Sequence, residues 1–272
     1  MFIPIGDENP VKRTPFVTYG LIAANVLVLL FTFHAVVQAG HEGGARDLFL
    51  RYGLVPARLR IVNLFTSAFL HGGILHLVFN MLFLYIFGDN VEDSLGHGFY
   101  LLFYLLCAAA AGLTYVSFHR GGMVPCVGAS GAVSGVLGAY AVLHPHRRVR
   151  MLVWIYLFVT VVRVRAVYLI LSWLALQMIA LHHEATQDQT AVAYSAHAGG
   201  FLVGALIALC LRFWAGRRPA TPPRTETRSL GMPPRTPVRP PRVARRITYR
   251  RRPGGRMELL PRDPRRRIGP NW

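Results

Sequence analysis

At 272 residues, 53% of them hydrophobic and only 15% charged, with a mean hydropathy of +0.37, the chain is too apolar for an ordinary soluble domain and reads as a membrane protein with a polar appendix. Its formal net charge of +18 is unevenly spread: seventeen arginines against Glu226, Glu258 and Asp263 put +14 of it in residues 217–272, and the rest is close to neutral. The odd count of three cysteines excludes a self-contained disulfide framework, and no H-E-x-x-H offers a zinc site.

Residues 1–15 are short, mixed in charge and followed by no convincing small-residue cleavage site, so they read as a cytoplasmic N-terminus and the first span as retained. Stretches apolar enough to cross a bilayer follow at 16–37, 75–87, 99–118, 127–143, 166–181 and 194–214. The second is short unless its helix continues through Glu92. Another apolar run, 151–162, is broken by Arg163 and Arg165 before it can span, and reads as an interfacial or re-entrant piece or an extension of the fifth helix. Cys107, Cys126 and Cys210 fall in or beside apolar segments and read as small buried hydrophobes. Residues 215–272 hold 12 of the 18 prolines and few large apolar side chains, too little to offset the entropy of ordering, so a disordered Arg/Pro-rich cytoplasmic tail is expected. With the N-terminus inside, Lys12, Arg13, Arg147, Arg148, Arg150, Arg163, Arg165 and the tail share the cytoplasmic side, although Arg46, Arg51, Arg58 and Arg60 lie in the first outer loop.

Within these apolar segments sit polar groups that are costly in hydrocarbon unless they face one another or a wet cavity: His76 and Asn80, Ser130 and His197. His76 and Asn80 are one helical turn apart and project together, offering a ring N–H and an amide. Ser130, in Gly128-Ala129-Ser130-Gly131 at a helix start, lies where first-turn N–H groups can stabilise an oxyanion; Ala132 stands where the soluble hydrolase elbow needs glycine. His197 shares a face with Gly200 and Gly204, a small-residue strip suited to packing on Gly131, Gly135 and Gly138. If those strips meet with their N-terminal ends level, a base reaches a hydroxyl, the minimum for an activated serine. The two helices must then run in the same direction, which leaves one span between them and six in all. The expected class is an all-α integral membrane protein, a six-transmembrane-helix bundle over residues 16–214.

His71-x4-His76-x3-Asn80, Gly128-x-Ser130-Gly131 and Ala196-His197-x-Gly199-Gly200-x3-Gly204, in this order and on separate spans, strongly resemble the rhomboid intramembrane serine proteases. That resemblance implies Ser130 as nucleophile, His197 as general base, His76 and Asn80 with the Ser130 N–H as the oxyanion pocket, and Glu92 as a buried polar anchor near Gly88 and Gly96. Ser134 stands where some members have a tyrosine packed on the histidine, and the Trp-Arg pair of the first outer loop is not evident around Arg51, Tyr52 and Arg58.

With no carboxylate near His197 in sequence, a Ser-His dyad without cofactor or metal is expected, cleaving transmembrane protein substrates near the outer end of a span. Access would run through a cavity covered by the loop at 121–125 or the one after Leu181. The compact six-span core points to a multi-pass protein of a bacterial inner membrane, and the arginine placement to both ends being cytoplasmic. The alternative is a non-proteolytic relative that binds and escorts membrane proteins. Besides the bilayer, anionic lipid headgroups are the expected partner of the basic tail, and nucleic acid is not, for want of an aromatic stacking pattern beyond Tyr249.

Overall fold

The computed structural model describes residues 2–38, 42–186, 192–216, 249–251 and 257–259. It divides into two units, Met1–Pro219 and Ala220–Trp272. At the N-terminus, strand β1 (Phe2–Asp7) is an edge strand, which is able to accommodate Pro4. After Pro15 the first long apolar run becomes α1 (Phe16–Gln38). A long connection holds α2 (Glu42–Tyr52) and one helical turn, α3 (Asn63–Thr66). Then come α4 (Ile74–Leu95), α5 (His97–Phe118), α6 (Ser130–Leu143), strands β2 (Arg148–Ile155) and β3 (Phe158–Arg165), α7 (Ala166–Thr186) and α8 (Tyr194–Gly216).

Four helices, α1, α4, α5 and α8, are long and apolar enough to cross a membrane; α6 and the described part of α7 are shorter apolar helices. The expected extension of the second span through Glu92 is present, since α4 runs on to Leu95. Helix α6 lies at the centre, with residues 131–140 all buried. Its glycines admit that: a Cβ on Gly200 or Gly204 of α8 would run into the carbonyl oxygens of Gly131 and Gly135, and one on Gly138 into that of Phe201. The two small-residue strips therefore pack backbone on backbone, as their spacing suggested.

At the far end of α4, the buried Glu92 carboxylate accepts the N–H groups of Val17 (2.9 Å) and Thr18 (2.8 Å), the Thr18 hydroxyl (2.7 Å) and the His97 ring (2.6 Å). It thereby caps the first turn of α1, whose N–H groups have no partner within the helix.

Three expectations need correction. The domain is mostly helical but not all-α: β1, β2 and β3 form an antiparallel sheet in that order, with Phe2 opposite Val153 and Arg148 opposite Arg165. The run 151–162 is thus a β-hairpin and neither a re-entrant piece nor part of α7, because Arg148-Val149-Arg150-Met151 and Val162-Arg163-Val164-Arg165 alternate with the period of a strand. Of the cysteines, only Cys107 is buried; Cys126 is half-buried and Cys210 exposed.

The sheet meets the same end of the bundle as Glu92. Asp7 of β1 accepts from Tyr140 (2.7 Å) at the C-terminal end of α6 and from Asn90 (2.8 Å) of α4. Burial raises the Asp7 carboxyl above its usual range, with the Tyr140 bond opposing it. In the second unit, β4 (Tyr249–Arg251) and β5 (Met257–Leu259) pair as a small antiparallel hairpin; the rest of the expected disordered tail lies outside the described residues.

Candidate active site

Helices α4, α6 and α8 begin at the end of the bundle remote from Glu92, and their first turns surround a cavity of ≈ 760 Å³. His76, Asn80, Ser130 and His197 all line it, with Ser134 and Trp173. Three segments far apart in sequence thus deliver four polar side chains to one space. The positive ends of three helix dipoles point the same way.

Ser130 is the first residue of α6, and the chain leading to it is held from behind. Leu54 and Cys126 exchange both backbone hydrogen bonds (3.0 and 2.9 Å), and the Gly128 N–H donates to the Ser67 carbonyl at 2.9 Å. The connection between α1 and α4 therefore supports the strand that feeds the serine. It is stapled in turn by Asn63, which donates to the Gly53 carbonyl at 2.7 Å. Gly128 is required on two counts: its φ is 125°, and a Cβ there would stand 2.7 Å from Cε1 of His76. The His76 ring consequently lies directly against the backbone preceding Ser130.

His76 meets the buried His71 edge to face, with ring centroids 5.1 Å apart. Asn80 is buried and gives one amide hydrogen to the His76 carbonyl at 2.9 Å, leaving its second for the cavity. The Ser134 hydroxyl is engaged elsewhere, turning back to donate to the Ser130 carbonyl at 2.6 Å. The His197 ring is held instead by Gln177, whose Oε1 accepts from His197 Nδ1 at 2.7 Å. An amide oxygen only accepts, so the proton sits on Nδ1 and Nε2 keeps its lone pair. Trp173, one turn before Gln177 on α7, and Tyr194 flank the ring at 6.0 and 6.2 Å. No hydrogen bond joins Ser130 to His197 among the described residues.

Gln177 is the site residue that sequence reading passed over. A glutamine in an apolar helix was a visible signal, but one polar residue does not tell which way it faces. Of the two covers expected for the cavity, 121–125 is described, with the Gly122 carbonyl accepting from the Ala57 N–H at 2.9 Å; residues 187–191, after α7, lie outside the described residues. Among the described residues no group of histidine, cysteine and acidic side chains could hold a metal ion.

Residues 58–213, more than half of the chain, match the family model of the rhomboid domain. The chain belongs to the rhomboid family. Over 133 residues it is 33% identical to the putative rhomboid protease YdcA of Bacillus subtilis, a match covering 48% of this chain and 63% of that one. It is 42% identical over 77 residues to the rhomboid protease GluP of the same organism (28% and 15%). With the mitochondrial rhomboid protein 1 of Saccharomyces cerevisiae it shares 34% over 111 residues (39% and 31%). The chain therefore spans less than two thirds of the length of each of these relatives. Its rhomboid segment holds α3 to β3, α7 and all four cavity residues, and leaves out β1, α1, α2 and the tail. The family and the apolar helices make it an integral membrane protein.

Proposed function

We propose that this rhomboid is an intramembrane serine endopeptidase that cleaves transmembrane segments of other membrane proteins. The observation that carries this reading is the convergence of Ser130, His197, His76 and Asn80 on one cavity at the N-terminal ends of three helices. The bond between hydroxyl and imidazole would close once substrate excludes water, as catalytic contacts often tighten only in the complex. Nε2 of His197, left as acceptor by the Gln177 bond, takes the Ser130 proton as Oγ attacks the scissile carbonyl. The oxyanion is received by the Ser130 N–H, the free Asn80 hydrogen and the His76 ring, with the helix dipoles adding to the stabilisation. Collapse of the intermediate passes the proton from His197 to the leaving amine, and water then hydrolyses the acyl-enzyme by the same base.

Six crossings, by α1, α4, α5, α6, α7 and α8, would place Ser130 and His197 at the outer side of a bacterial inner membrane and both ends of the chain in the cytoplasm. The test is cleavage of a panel of single-span proteins in liposomes by the wild type, Ser130→Ala and His197→Ala. Cleavage by the wild type alone, with all three folded, is the expected result. Binding without cleavage by any of them would assign the protein to the escort class.

A further inference from the structure

The β2–β3 hairpin lies at the opposite end of the bundle from Ser130, and three features of it have no use in that site. The first is its turn. Ile155 pairs with Phe158, so Tyr156 and Leu157 form a two-residue turn, a place where positive φ usually calls for asparagine or glycine. Tyr156 has φ 54°, the only positive value at a non-glycine among the described residues. A turn facing water would gain from Gly-Asn, with glycine at the position of positive φ; this one keeps two large apolar side chains despite the strained backbone.

The second feature is where burial stops. Val149, Met151 and Val153 alternate into the bundle, but from Trp154 on both faces are exposed to a large degree: Trp154 is 54% exposed, Tyr156 85%, Leu157 81% and Phe158 79%. An apolar tip thus overhangs the body of the protein. The third is charge. At the base of the hairpin Arg148 stands opposite Arg165 and Arg150 opposite Arg163; Arg163 pairs with Glu8 at 2.7 Å and Arg150 interacts with Asp7, while among the described residues no acidic side chain is bridged to Arg148 or Arg165. Like charges paired across strands repel unless an anion lies between them.

The hairpin base sits at the level where two apolar helices stop, since α6 ends at Leu143 and the first N–H of α7, that of Ala166, donates to the Arg147 carbonyl at 2.8 Å. Aromatic tip, basic base and a position at helix ends are the pattern of a segment resting in a lipid interface. We propose that the β2–β3 hairpin is a membrane-surface anchor: residues 154–159 enter the boundary between headgroups and acyl chains in the leaflet remote from Ser130, and Arg148 and Arg165 face the lipid phosphates. The occupant is lipid and not a second copy of the chain, because the arginine pairs of two copies would meet like for like. This holds whether or not Ser130 is a nucleophile.

The test uses the full chain in nanodiscs of phosphatidylcholine and phosphatidylglycerol, with or without bromine on the upper acyl carbons. The emission of Trp154 is taken as the difference between the wild type and Trp154→Phe, which removes the signals of Trp173, Trp214 and Trp272. Loss of most of that emission in brominated lipid is expected. In a chain carrying Tyr156→Gly and Leu157→Asn, which suits the turn and removes the tip, the emission should largely return while the unfolding midpoint is kept. Equal Trp154 emission in brominated and plain lipid would overturn the proposal, as would cross-linking of two copies through Leu157→Cys without quenching.

Discussion

The two ends of α4 treat buried polar groups in opposite ways. At one end Glu92 is 1% exposed and every contact it makes is complete, with two backbone N–H groups, a hydroxyl and an imidazole around one carboxylate. At the other, Asn80 and His76 face a cavity, and Ser130 and His197 share it without bonding each other. A satisfied group holds helices together, whereas an unsatisfied one keeps capacity for a group that arrives later. That difference predicts which substitutions lower stability and which lower activity.

The largest effect is expected at the open end. Ser130→Ala should abolish cleavage, a loss on the order of 10^5-fold or more as for the nucleophile of a serine protease triad, while the unfolding midpoint in detergent stays put. A large drop in stability instead would make the serine a packing residue and erase the contrast. Asn80→Ala should slow turnover by about a hundredfold or more, about 3 kcal/mol, because it removes a donor used only as charge develops on the substrate oxygen. Normal turnover in that variant would take Asn80 out of the pocket.

At the closed end the signs reverse. Glu92→Gln should lower stability by about 2–3 kcal/mol, since a neutral amide cannot accept all four hydrogens and leaves N–H groups of α1 unpaired. Its turnover per folded molecule should be close to that of the wild type. The smallest effect is expected at Gln177. Gln177→Leu should reduce kcat roughly tenfold, about 1.4 kcal/mol, through loss of the Nδ1 tautomer, with KM unchanged. Gln177→Glu, which keeps an acceptor at Nδ1, should restore most of it; if both variants fail alike, Gln177 serves packing and not ring orientation.

Much of this arrangement was legible in the residues. Polar groups inside lipid-like segments have few physical excuses, so Ser130, His197, His76 and Asn80 could be assigned to one space before any geometry was known, and the glycine spacing on α6 and α8 indicated how close the backbones come. The sheet was missed for a different reason. A scan for membrane spans weighs hydropathy over long windows, and under it the alternation of Arg148, Val149, Arg150 and Met151 averages away. Pairing of Phe2 with Val153 joins residues that nothing local connects. Gln177 was missed because its partner lies on another helix and only packing reveals the direction of its side chain.

The burial of α6 on all sides has a consequence for selectivity. Glycine-to-carbonyl contacts with α8 leave that helix no room to shift, so in the proposed reaction the attacking oxygen is a fixed point and the peptide must be reshaped to meet it. Opening a turn of helix inside lipid exposes backbone groups worth several kcal/mol each. A site of this kind would sort its clients by how weakly they hold their own helix, and a single glycine or proline in a client could outweigh any side chain that fits the cavity.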